Sequence, residues 1–306
     1  MKHSVKITII LLLTFLITQF IGLSVVYNYI DFENNEFKEL PIGERPEFEQ
    51  ETSYLPVIVA IIIGTIFMLV LIKFKLIWVW KIWFLMALII SLWISFSAFI
   101  SSMVAIVLAV IFGVWRIFKN NVYVQNLTEL FVYGGLAAIF VPIFSVFSVS
   151  VLLIVISIYD MYAVWKSKHM ITLAKAQTKA GVFAGLMIPY SIKKVKVAKG
   201  GKKKSVRVKS KVSKVASKVS SKVSKKVSGV RTAILGGGDL GFPLIFAGVV
   251  LKEMGLAVSL VIPFFAMAGL GYLFYIANEK KYYPAMPFIA IGCFAGLGVV
   301  WFFRLV

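Results

Sequence analysis

The stretch Leu235-Gly236-Gly237-Gly238-Asp239-Leu240-Gly241-Phe242-Pro243 decides how the chain is read. A carboxylate follows three glycines and precedes an apolar run through Leu244, Ile245, Phe246 and Ala247 to Leu251. The surroundings say what medium that carboxylate sits in. The 306 residues are 60% hydrophobic, against about 45–50% for a soluble domain. Apolar runs of roughly 18 residues recur along the chain, each long enough to cross a bilayer. Alternating segments of about 10 residues, the mark of a β-barrel, are absent. The expected fold class is therefore an all-α polytopic membrane protein.

Nine spans are predicted, at 7–27, 55–72, 82–98, 99–115, 130–146, 149–165, 232–251, 255–277 and 284–305. The first follows a basic N-terminus; it is too long for a signal peptide, lacks a small-x-small cleavage site, and is read as a retained span. Trp78, Trp80 and Trp83 with Lys81 read as an interfacial belt. Basic and non-basic connections alternate: acidic at 31–53, basic through Lys73, Lys75 and Lys81, then through Arg116 and Lys119, then a polybasic segment, then Lys280 and Lys281. Positive charge stays on the cytoplasmic side, so the N-terminus is expected inside and the C-terminus outside, with Arg304 the one dissent. The expected organisation is a six-helix bundle at 1–165, a polybasic cytoplasmic loop at 166–231, partly disordered, and a three-helix part at 232–306.

Composition also removes chemistries. Cys293 is the single cysteine and His3 and His169 are the only histidines. No disulfide can form within the chain, and the clustered ligands of a zinc protease are missing. No metal and no cofactor is expected. Serine–histidine catalysis lacks a plausible base, His169 being read as interfacial.

The thirteen acids are unevenly placed. Eight fall between Asp31 and Glu51; Glu129, Asp160, Asp239, Glu253 and Glu279 remain. Of these, Asp160 and Asp239 are read as lying inside apolar spans. Asp160 lies six residues before Lys166 and Asp239 eight after Arg231, on the order of 9–12 Å inside the cytoplasmic boundary at helical rise. An Asp at mid-helix costs roughly 2.5–3.5 kcal/mol on insertion scales, so two at matching depth on antiparallel neighbours imply use. Carboxylates that approach closely titrate as one coupled unit, able to activate a water and protonate a leaving amide nitrogen. Ser157 and Ala163 flank Asp160 with small side chains, allowing close helix approach. Pro243 cannot donate to the Asp239 carbonyl, and the glycines loosen the other side. An irregular helix start beside the carboxylate is expected, as cleavage of an unwound transmembrane substrate would require.

Ile158-Tyr159-Asp160 and Gly236-Gly237-Gly238-Asp239 resemble the YD and GxGD motifs of the presenilins and signal peptide peptidases. Pro284-Ala285-Met286-Pro287 resembles their third motif, Pro-Ala-Leu, with Met286 in place of leucine. The segment from Lys168 to Ala174 resembles the archaeal branch. The resemblance implies an intramembrane aspartyl protease of GxGD type in a prokaryotic, archaeal-type cell membrane, with Asp160 and Asp239 as the catalytic pair. It implies that Tyr159, Gly236, Gly238, Pro284, Ala285 and Met286 shape the site and help hold substrate. Substrates would be transmembrane peptides of type I orientation, and accessory subunits are not required by anything in the sequence. Two alternatives stand beside this reading: a prepilin-peptidase-like GxGD protease, with fewer spans, and a proton-coupled transporter using the buried aspartates, which predicts repeat symmetry that is not evident.

Residues 193–231 hold sixteen basic residues and no acid. Val195, Val197, Val206 and Val208 alternate with basic neighbours around Gly200-Gly201 as in a β-hairpin, which could receive a substrate strand. Val208 to Val227 recur at helical spacing against a lysine face, suited to anionic lipid. Low-complexity disorder competes with both readings. Nucleic acid is disfavoured as a partner, because no aromatics interleave the lysines. Asn126 with Glu129 is read as a helix N-cap arrangement.

Overall fold

The computed structural model describes residues 5–34, 36–45, 49–119, 121–166, 177, 181–191, 230–277 and 283–305. They fall into two compact units, one of Met1–Ile188 with Ile234–Val306 and one of Pro189–Ala233. The hairpin and amphipathic-helix readings of the polybasic segment, and the segment from Lys168 to Ala174, lie outside the described residues.

Six helices open the chain: α1 (Val5–Tyr29), α2 (Tyr54–Lys73), α3 (Ile77–Ser97), α4 (Ser102–Lys119), α5 (Val122–Phe140) and α6 (Val146–Met161). Strands β1 (Ile30–Asp31) and β2 (Glu36–Phe37) pair antiparallel between α1 and α2. A π-helical turn, Tyr162–Lys166, ends α6. Strands β3 (Gly185–Ser191) and β4 (Val230–Gly236) form a second two-stranded sheet. Then come α7 (Gly237–Met254), the short α8 (Leu256–Ser259), α9 (Val261–Ile276) and α10 (Met286–Leu305). Among the described residues, seven stretches are long and apolar enough to cross a membrane: α1 to α6, with their terminal turns, and Leu256–Ile276. Helix α7 carries Asp239, Lys252 and Glu253 in its 18 residues.

The exposed faces confirm lipid as the solvent. In α2 only Met68 and Leu71 are buried, while Ile63 and Ile66 are more than half exposed. A helix apolar on all sides and this open to its surroundings is stable only in hydrocarbon. Burial concentrates instead on α7, where every residue from Pro243 to Leu251 is buried. Helices α1, α5, α6, α9 and α10 all pack against it. Glycines set the closest approaches, as expected where packing rather than the hydrophobic effect holds helices together. A Cβ on Gly269 of α9 would run into the Phe288 carbonyl, and one on Gly292 of α10 into the Phe265 carbonyl.

Four expectations are corrected. Span seven does not begin as a helix at 232: Val230–Gly236 is extended and the helix starts at Gly237. β-Branched Val230, Thr232 and Ile234 favour the strand, and the glycines that follow favour a break. Span five starts at Val122 rather than 130, because Gln125, Asn126 and Glu129 have partners within the protein. The α5 N-cap is Asn121, whose side chain accepts from the Tyr123 amide; Asn126 lies inside the helix. Glu129 is 1% exposed, so a third acid lies within an apolar span.

Candidate active site

Asp160 closes α6, and Asp239 sits in the first turn of α7. The two helices pack together, and α10 packs on both. The carboxylates are near enough for the charge of one to act on the other. They are not equivalent. Asp160 is 5% exposed, whereas Asp239 is partly open, beside an exposed Gly238.

Each carboxylate is held differently. Asp160 Oδ2 accepts from the Met286 amide at 3.1 Å, and the Ala285 amide also acts on this group. Helix α10 begins at Met286, and the first amides of a helix have no partner within it. The Ala285 carbonyl accepts from the Phe288 and Ile289 amides, so Ala285 stands at the N-cap position. Met286 therefore offers Asp160 a free donor at the positive end of the helix dipole. Pro287 fits here, since a first-turn amide is expendable. Oδ1 of Asp160 is buried with no hydrogen-bond partner among the described residues, leaving that oxygen for a reactant.

Asp239 is served by its own helix. Gly236 is the N-cap, in extended conformation (φ −67°, ψ 152°), which makes Asp239 the third helical residue. The Gly236 amide, at the helix start, acts on the Asp239 carboxylate. A Cβ on Gly236 would stand 3.3 Å from Oδ2. Because 231–236 is extended, the depth of Asp239 reckoned at helical rise does not apply; the acid lies one turn into its helix.

The remaining predicted residues gather here to different degrees. Pro284 and Met286 are buried at the start of α10, with Ala285 between them partly so. The Tyr159 hydroxyl donates to Thr65 Oγ1 of α2 at 3.3 Å, tying the aspartate helix to the most lipid-exposed one. Gly238 is not sterically demanded, since an added Cβ meets only the Phe242 ring, at 3.5 Å. The constrained glycine is Gly237, between the motif glycines. Its amide donates to the Ala184 carbonyl at 3.1 Å, and a Cβ on it would come within 2.7 Å of the Tyr133 hydroxyl.

Sequence reasoning missed Gln19. Fully buried on α1, it donates through Nε2 to the Leu240 carbonyl at 2.9 Å. That carbonyl follows Asp239 directly, in the turn Pro243 disturbs. A lone glutamine among nearly twenty apolar residues was the available signal, since polar side chains in membrane helices are retained for such contacts.

Packed helices thus bring two carboxylates together, one partly open and one with an oxygen that has no hydrogen-bond partner among the described residues, an arrangement with the chemistry that an aspartyl-type hydrolytic site needs. The sequence model of the family described as signal-peptide peptidase, presenilin aspartyl protease matches residues 9–305, nearly the whole chain. The chain belongs to that family and is an intramembrane aspartyl protease. Two solved structures, each described as a presenilin family intramembrane aspartate protease, share the fold. The form in space group C222 superposes with a TM-score of 0.59 at 18% identity, covering 95% of this chain and 97% of that one. The P2 form gives 0.57 at 18% identity, covering 95% of each. No curated protein matches the sequence.

Proposed function

We propose that Asp160 and Asp239 are the catalytic dyad of a GxGD-type protease that hydrolyses peptide bonds inside transmembrane segments. The observation carrying this is that the two carboxylates lie near enough to act on each other, with the first amide of α10, Met286 N–H, donating to Asp160 Oδ2. In the reaction one carboxylate is ionised and the other protonated, a division two close acids adopt because both cannot ionise cheaply. The ionised one takes a proton from water as the water oxygen bonds to the scissile carbonyl carbon. The protonated one donates to the carbonyl oxygen as negative charge develops there. As the neutral gem-diol intermediate collapses, the C–N bond breaks, the amide nitrogen takes the proton held by the carboxyl that had received it from water, and a gem-diol hydroxyl returns its proton to the other carboxylate, restoring the starting pair. The extended backbone before Gly237 and the exposed Gly238 favour access to Asp239.

The finer reading follows the charge pattern. We place nine spans, with α7 and α10 as the seventh and ninth, the N-terminus inside and the C-terminus outside. Asp160, Asp239 and 284–287 then share the cytoplasmic end. Substrates are transmembrane peptides of type I orientation, the polybasic loop rests on anionic lipid, and the chain works without accessory subunits in a prokaryotic, archaeal-type membrane. The test is cleavage of a transmembrane peptide by the detergent-solubilised full chain, with products mapped by mass spectrometry. Wild type should cut within the apolar segment, and Asp160→Ala and Asp239→Ala should not. Undiminished cleavage by either variant would sink the dyad, and a reporter in 193–231 found outside would overturn the orientation.

A further inference from the structure

Helix α5 carries charge that the dyad does not use. Glu129 forms a buried ion pair with Arg116 of α4, with side chains 1% and 4% exposed. Its other oxygen accepts from the Tyr133 hydroxyl, one turn along α5. Arg116 lies over the Phe84 ring at 5.2 Å, and donates to Thr128 Oγ1 at 3.2 Å and the Phe183 carbonyl at 3.1 Å. Gln125 Nε2 donates to the carbonyls of Phe183 and Gly185 at 3.3 and 3.1 Å. Asn126 exchanges two bonds with the Met187 backbone, at 2.8 and 2.9 Å. Side chains of α4 and α5 thus grip the backbone from Phe183 to Met187.

That gripped segment ends on the catalytic helix. The Ala184 carbonyl receives the Gly237 amide, the first of α7, and the Tyr133 hydroxyl stands against the Gly237 Cα. Gly185 makes the approach possible: at φ +141°, a Cβ there would collide with the Leu235 carbonyl. Both contacts that locate Gly237 therefore trace back to Glu129, one through Tyr133 and one through Arg116 and Phe183. Asp239 is two residues further on. A buried ion pair is a weak source of stability, because desolvation offsets its attraction, but one whose two partners are also hydrogen-bonded to Thr128, Tyr133 and the Phe183 carbonyl fixes geometry well.

We propose that Glu129 and Tyr133, with Arg116, are positioning residues for Asp239: they hold the start of α7 in the register that presents its carboxylate. This rests on Asp239 being catalytic. They touch no reacting atom, so their loss should slow turnover and leave substrate capture intact.

The experiment measures kcat, KM and thermal midpoint on the full chain in detergent with a transmembrane peptide. Tyr133→Phe keeps the ring and removes the donor; kcat should fall about tenfold with KM little changed, and because the Glu129 oxygen is left without its donor the midpoint falls as well, so kcat is read at a temperature well below it. Arg116→Met with Glu129→Leu removes both charges without stranding either, and should show the same kcat loss in a chain that melts normally. A kcat within about twofold of wild type in either folded variant would overturn the inference, as would a loss residing in KM. Cleavage surviving Asp239→Ala would bring down the dyad and this inference with it. Cleavage lost in Asp239→Ala but undiminished in Tyr133→Phe would bring down this inference alone.

Discussion

The two aspartates are solutions to the same problem made from different materials. Asp239 is held by neighbours in sequence: Gly236 supplies the amide and the helix start supplies the field. Asp160 sits at the opposite end of its helix, where the dipole is unfavourable to an anion, and takes its amide from Met286, 126 residues away. One carboxylate is placed by local geometry and the other by tertiary packing. A site built this way is assembled only when α10 docks, and docking depends on the close contact of Gly269 and Gly292 with the facing backbones.

The largest expected effect erases the difference. Asp160→Asn and Asp239→Asn should each lower cleavage at least about a hundredfold, the scale of general acid–base catalysis, whatever holds the carboxylate. Equal initial rates for wild type and either variant would show that the dyad is not the source of activity.

The next effect separates the two. Met286→Pro removes the amide that feeds Asp160 at the first helical position, where proline is otherwise well tolerated. It should cost about tenfold or more in kcat, while Met286→Leu, which keeps the amide and an apolar side chain of similar size, should stay within about twofold. If Pro and Leu behaved alike, the borrowed amide would have no role.

A third test falls on the local half. Gly237→Ala should destabilise the chain by about 1–3 kcal/mol, through overpacking against Tyr133 and Ala184. Gly238→Ala should change stability by less than about 1 kcal/mol, since its new methyl meets only a ring at ordinary distance and alanine favours helix. Thermal melting of the two variants distinguishes them, and the reverse order would show that Gly237 is not the constrained position.

The smallest effect concerns a carboxylate that is local in every respect. Asp31, outside the spans, is held below the usual carboxylate range by the Asn34 side-chain amide and by the backbone amides of Glu33 and Asn34. Its folded value lies below its unfolded one, so its contribution is complete above the ordinary carboxylate range and is lost as pH falls through the folded value. Asn34→Ala should move the titration of Asp31, followed by NMR, back toward the ordinary value and leave cleavage unchanged. No movement would mean that Asn34 does not set it.

The membrane class, the succession of apolar helices and the two aspartates were legible because each is written in composition or in a short motif. A charge among apolar residues is conspicuous wherever the chain folds. Element starts were less legible where polar residues act at long range. Gln125 and Asn126 look like a loop until Phe183, Gly185 and Met187 arrive to receive them, and Glu129 looks like a flanking acid until Arg116 is buried beside it. Residues 230–236 carry apolarity fit for a span, and only pairing with β3 makes them a strand.

The sequence by itself determined the solvent, the chemistry and the local seat of Asp239, because hydrophobicity, the scarcity of ionisable groups and the glycine-led helix start act over a few residues. Tertiary structure alone decided which amide meets Asp160, that Gly237 rather than Gly238 is sterically fixed, and that a third acid is buried behind the site. Those are contacts between residues tens to more than a hundred positions apart. Their energies arise only when helix packing excludes every other partner for a polar group that lipid cannot satisfy.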